Sequence, residues 1–347
     1  MQLGARTFEV DDDDAQQMFR ERGWTDGLPV VAPTPGRVEA MLGWSGSSPD
    51  HVVGIEPVKL RALTAEKVAI NAVMAGCLPP DFPVVLAAVD ALCHPDLLVH
   101  GATASTGGCA ILLVVNGPVR HELAMSSAHS VLAGPDRASV CIGRAVRLIL
   151  RNLLEARPGA LDRSTLGHPG KLSWCLAEDE EGGAPWIPLG TERGVPAGVS
   201  SVTAFAASGP RQIMNEWTTD PTELLTTIVA EIKATMLHYS IWAGNYAVVL
   251  PPQLRAVFHR AGWSKADVRQ FVYENAVVRR SDWERVGKQA VVNDRNRNHD
   301  YRALPSPEHL LVISAGGDAG GFAAIIPPWL GPKSAAVTTG VGVCFNC

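Results

Sequence analysis

The sequence predicts an α/β protein: mixed or parallel sheet layers covered by helices, arranged as two pseudo-symmetric lobes. Three observations predict it. Ala110–Val115 is an unbroken β-branched and aliphatic run, the composition of a strand covered on both faces. Tyr246–Leu250 is a second such run. Each run leads through a proline turn into a helical pattern, by Asn116-Gly117-Pro118 in the first case and Pro251-Pro252 in the second. That repeated phrase points to paired lobes, which we place at 1–158 and 201–347, joined by an irregular functional loop or link over 159–200.

The other elements follow in order. Residues 12–22 read as a helix whose Asp11–Asp14 start suits the positive helix end, and Asp26-Gly27 turns the chain. Thr34-Pro35 starts a second helix. Thr64 caps a third that runs to Ala75, where Gly76 stops it. Pro83–Leu92 is a fourth. After the strand at 110–115 and its helix, Asp136 caps a long helix to about Glu155. Ser201–Ala206 is a strand, Asp220-Pro221 opens a helix to about His238, and Ser264–Ala276 is another. His309–Ser314 is a strand, and the chain closes in apolar strand-like pieces.

Composition bounds the partners. The 347 residues are 46% hydrophobic and 19% charged, enough for a large folded core, and the net charge of −5 excludes a nucleic-acid backbone binder. The longest apolar runs are far too short to span a bilayer, and no signal peptide is legible, so the expectation is a cytoplasmic protein without a membrane partner. In that compartment seven cysteines at irregular spacing are free thiols or ligands, not a disulfide framework.

Several stretches carry candidate chemistry. Cys109 follows Thr106-Gly107-Gly108, a turn whose backbone N–H groups can favour a thiolate. Arg137, Arg144, Arg147 and Arg151 fall near one helix face; Arg144 and Arg147 are the candidates for an anionic substrate, and Arg137 and Arg151 read as solvated. His168 and Lys171, in the polar stretch Gly167–Glu181, supply a candidate acid/base and an anion anchor, with Cys175 close behind. Asn116 and the Gly316–Gly321 loop, through Gly317 and Asp318, are further substrate-binding candidates. His121-Glu122 comes within one residue of a zinc-protease helix motif, but Met125 stands where the second histidine is required. Cys344 and Cys347 form a terminal Cys-x-x-Cys, suited to reversible disulfide closure or, with Cys109, Cys175 or a histidine, to a zinc, iron or copper site.

The phrases Asp26-Gly-Leu-Pro-Val30, Val68-Ala-Ile-Asn-Ala-Val-Met-Ala-Gly-Cys77, Val114-Val-Asn-Gly-Pro118, Ile142-Gly-Arg-Ala-Val-Arg147, Gly167-His-Pro-Gly-Lys171 and Gly262-Trp-Ser-Lys-Ala-Asp-Val268 together resemble a bacterial family associated with UGSC-motif (seleno)proteins. The resemblance implies partnership with a thiol or selenol redox protein, and the terminal Cys-Phe-Asn-Cys departs from the family pattern.

These features lead to one expectation with two alternatives. The first is an enzyme acting on a small anionic substrate by thiol-dependent redox or reductive bond cleavage, with Cys344, Cys347, Cys109 and His168 catalytic. The alternatives are a metal-dependent lyase or hydrolase and a metal- or sulfur-carrying partner subunit. A homo-oligomer is compatible with all three.

Overall fold

The computed structural model describes residues 2–239, 241–331 and 333–342. Helices α1 (Asp12–Glu21) and α2 (Pro35–Ser45) lead into a hairpin of β1 (Val52–Glu56) and β2 (Arg61–Thr64). Helices α3 (Ala65–Ala75), α4 (Phe82–Cys93) and α5 (Val99–Ala104) precede the central strand β3 (Ala110–Asn116). The helix expected after Pro118 is the single turn α6 (Val119–Glu122), and the long helix α7 (Arg137–Asn152) follows. Asp136 caps α7 through its bond from the Ser139 N–H, and the helix stops before 155 because Glu155 adopts a left-handed φ of 60°. Thr34 and Thr64 precede their helices without side-chain capping bonds.

The segment 159–200 is structured. It contains β4 (Cys175–Ala177) and the single turns α8 (Glu180–Gly183) and α9 (Leu189–Glu192). After it come β5 (Ser201–Ala207), β6 (Arg211–Met214), α10 (Pro221–His238), β7 (Tyr246–Leu250), α11 (Pro252–Arg260) and α12 (Lys265–Asn275). A short pair, β8 (Val277–Arg279) and β9 (Asp300–Arg302), precedes β10 (Leu310–Ser314), β11 (Phe322–Ile326) and β12 (Val337–Gly340).

Two four-stranded mixed sheets form the centre, in the orders β4-β3-β5-β12 and β10-β7-β11-β6. In each, the first pair is parallel and the next two pairs are antiparallel. The sheets exchange their last strands. β6 follows β5 in the chain yet pairs with β11, and β12 follows β11 yet pairs with β5. The division at 159–200 therefore needs correction: β4, β5 and β12 all belong to the sheet built on β3. The continuous apolar strands explain why, since a buried strand needs partners on both edges and gets them from distant chain segments.

Alternation along the strands sorts side chains into three cores. Ile111, Leu113 and Val115 pack with α3, α4 and α7; Tyr246, Val248 and Leu250 pack with α10, α11 and α12. Leu112, Val114, Val249 and Ile313 meet between the sheets. The result is a four-layer α/β/β/α arrangement. Among the described residues, no single helix is long and apolar enough to cross a membrane, and apolar α4 is buried in the first core.

Candidate functional site

Two stretches distant in sequence meet at the start of β3. Gly108 has φ +70°, and a Cβ there would lie 2.7 Å from the Gly167 backbone nitrogen, so the two turns touch backbone to backbone. The Thr165 N–H donates to the Thr106 carbonyl at 3.1 Å and ties them together. Below this seam a cavity of about 30 Å³, room for one water-sized group, lies between β3, α5 and α7. Its polar lining includes Cys109, Arg147, Asp162 and Lys171, and Ile111 and Val146 are among its apolar walls.

The charged end is built on Asp162, which sequence reasoning missed because nothing marks it inside an irregular segment. Lys171 Nζ donates to Asp162 Oδ2 and to Ser164 Oγ, both at 2.6 Å, and Arg147 Nη1 lies 3.9 Å from the same carboxylate oxygen. Burial pushes the Asp162 carboxyl up, but the bonds from Lys171 and Ser164 outweigh it and hold the group below the ordinary carboxylate range. Arg147 is lowered by burial, with Asp162 opposing that effect, and stays charged.

Cys109 is a protonated thiol. Its Sγ donates to the Ala102 carbonyl at 3.2 Å, and burial pushes it up to about 12, only partly offset by the Lys171 charge. His168 Nδ1 accepts from the Gly170 N–H at 3.2 Å, Nε2 lies 3.3 Å from the Ala207 carbonyl, and its ring meets Trp174 edge-on at 5.0 Å. Burial lowers the His168 pKa, which favours the neutral ring with Nε2 as donor.

The remaining candidates are placed elsewhere. Arg144 is corrected from substrate ligand to structural partner. Two of its nitrogens hold Asp26 at 2.9 Å each and one also reaches the Pro29 carbonyl, so its fork is filled. Asn116 stands at the opposite end of β3, roughly 20 Å from Cys109 at strand rise, and donates to Glu178 at 2.7 Å. Gly317 packs against the His129 ring, and Asp318, 82% exposed, lies 3.4 Å from His129 Nε2; neither lines the Cys109 cavity. Cys175 is buried in β4 within the helix-covered core, burial holding it as a thiol, and the described residues contain no His/Cys/Asp/Glu group arranged to hold a metal. Cys344 and Cys347 lie outside the described residues.

Comparison with protein-family models, with curated proteins and with solved structures finds no match.

Proposed function

We propose that the chain is an enzyme that binds a small anionic substrate in the cleft between the Cys109 turn and the 162–171 loop. Its chemistry on that substrate is thiol-dependent redox or reductive bond cleavage. One observation carries the binding half: Lys171 and Arg147 converge on Asp162 beside Cys109, in a cavity whose other walls, Thr103 apart, are apolar side chains and glycines. A cation pair lining a cavity with room for one water-sized group favours a small oxyanion whose charged end reaches Lys171 and Arg147 while the rest of the molecule stays at the mouth. Neutral His168, with Nδ1 turned to the Gly170 N–H and Nε2 to the Ala207 carbonyl, positions the 167–171 loop at the seam.

The redox half rests on Cys344 and Cys347. The dithiol gives two electrons and two protons to the substrate and closes to a disulfide, and an external thiol or selenol protein reopens it. Cys109, held as a thiol, does not serve as a standing nucleophile. The test is binding and reductive turnover across a panel of small oxyanions. Loss of binding in Lys171→Met together with loss of thiol-driven turnover in Cys347→Ser supports the proposal. Turnover unchanged in Cys347→Ser ends the redox half, and binding unchanged in Lys171→Met ends the cleft assignment.

A further inference from the structure

Beside the cleft lies a second cationic group that forms no ion pair among the described residues. Arg151 is one helical turn beyond Arg147 on α7, next to cleft-lining Leu150. Arg157 follows cleft-lining Ala156, and its carbonyl accepts the Asp162 N–H at 3.1 Å, so it sits at the edge of the same loop. Its guanidinium reaches back over Gly23, where a Cβ would come within 3.3 Å of Nη1. Both Arg151 Nε and Arg157 Nε are buried without an acceptor.

The nearby carboxylates are committed to other groups. Asp26 is held by Arg144, Asp162 by Lys171 and Ser164, and Glu155 by Arg61 at 2.7 Å. Among the described residues no carboxylate lies within ion-pair distance of Arg151 or Arg157. Burial, then the charges of Arg147 and Arg157, lower the Arg151 pKa against the pull of Asp26. Like charges with unfilled buried donors are costly unless an anion completes them.

We infer that Arg151 and Arg157, with Arg147 on their cleft side, form a phosphate-binding site, and that the cleft's substrate is a small phosphate ester. Two guanidinium groups carry two positive charges, which a phosphate monoester, with three terminal oxygens and nearly two negative charges at neutral pH, matches better than a singly charged carboxylate. The phosphate takes the forks and the organic part lies across the mouth of the Cys109 cavity. The second half of the inference rests on the proposed function; the phosphate site does not.

The experiment is titration calorimetry on the full chain with inorganic phosphate, glycerol 3-phosphate and succinate. Wild type is expected to bind both phosphates, the ester more tightly, and succinate weakly. Arg151→Gln and Arg157→Gln are each expected to weaken both phosphates about tenfold or more, while Arg137→Gln leaves them unchanged. Arg151→Lys keeps the charge and loses the fork, so it guards against misfolding and is expected to weaken binding as well. Wild-type affinity in the Arg151 and Arg157 variants, no phosphate binding at millimolar concentration, or succinate binding as tightly as the ester overturns the site. Lys171→Met separates the two proposals: a weaker ester with unchanged inorganic phosphate supports both. Unchanged ester binding there, with loss in Arg151→Gln, supports the phosphate site and overturns the cleft assignment.

Discussion

Glu178 Oε1 accepts a hydrogen bond from Lys265 Nζ at 2.8 Å, with the two side chains 1% and 2% exposed. The pair joins the end of β4 to the start of α12, 87 residues apart, and so locks the first sheet to the helices covering the second. The other Glu178 oxygen is filled by Asn116 Nδ2 and the Leu189 N–H. Lys265→Met leaves a buried carboxylate without its cation and is expected to cost about 3–5 kcal/mol. Urea denaturation checks this, and the double variant Glu178→Gln/Lys265→Met, which keeps an acceptor for Asn116 and the Leu189 N–H, is expected to recover part of the loss.

The Asp162–Lys171 pair predicts an acid-dependent loss of stability. A carboxylate held below its unfolded value stabilises the fold above about pH 3.9, and that contribution disappears as pH falls through the lowered folded pKa. Asp162→Asn is expected to destabilise by about 2–3 kcal/mol at neutral pH and to flatten the acid limb of a denaturation series.

His168 predicts a second pH effect of the same direction in a different window. Its folded pKa lies below the ordinary value because burial disfavours the charged ring, so the unfolded chain takes up the proton first. Stability from His168 is present above about pH 6.5 and is lost as pH falls below that toward the folded pKa. The difference between wild type and His168→Gln, followed by denaturation from pH 8 to pH 5, isolates it from the other histidines.

Cys109 is expected to resist alkylation. With its thiol near 12, the native thiolate fraction at pH 8 is roughly 10³-fold below that of an ordinary cysteine. Peptide mass spectrometry after iodoacetamide checks this: modification of Cys109 should follow global unfolding, and prompt native-state labelling contradicts the buried thiol.

Gly143→Ala is expected to destabilise by about 1–3 kcal/mol. A Cβ at Gly143 would lie 2.4 Å from Ser173 Oγ and 2.6 Å from the Trp174 backbone nitrogen, where α7 presses on the chain entering β4. A thermal melt reads the loss.

Local grammar was legible without coordinates. Thr64 and Gly76 bracket α3, Asp136 starts α7, and the runs 110–116 and 246–250 are strands, because caps and continuous apolar composition act within a few residues. The β1–β2 hairpin and β6 escaped, since half-exposed short strands carry little pattern. Cys109, Arg147 and Lys171 stood out by residue type and do converge on one cavity, but Asp162, which organises the charges there, did not.

By itself, the sequence determined the α/β class, the chief helices and strands, and the residue types able to do chemistry. Only the tertiary structure decided the exchange of edge strands and the pairing of Arg144 with Asp26. It also set the meeting of two glycine turns over the Cys109 cavity and, among the described residues, left Arg151 and Arg157 without an ion pair. The physical reason is range. Propensity and capping are properties of neighbouring residues, whereas a strand partner or an ion pair is settled by which distant groups remain unsatisfied once the layers close.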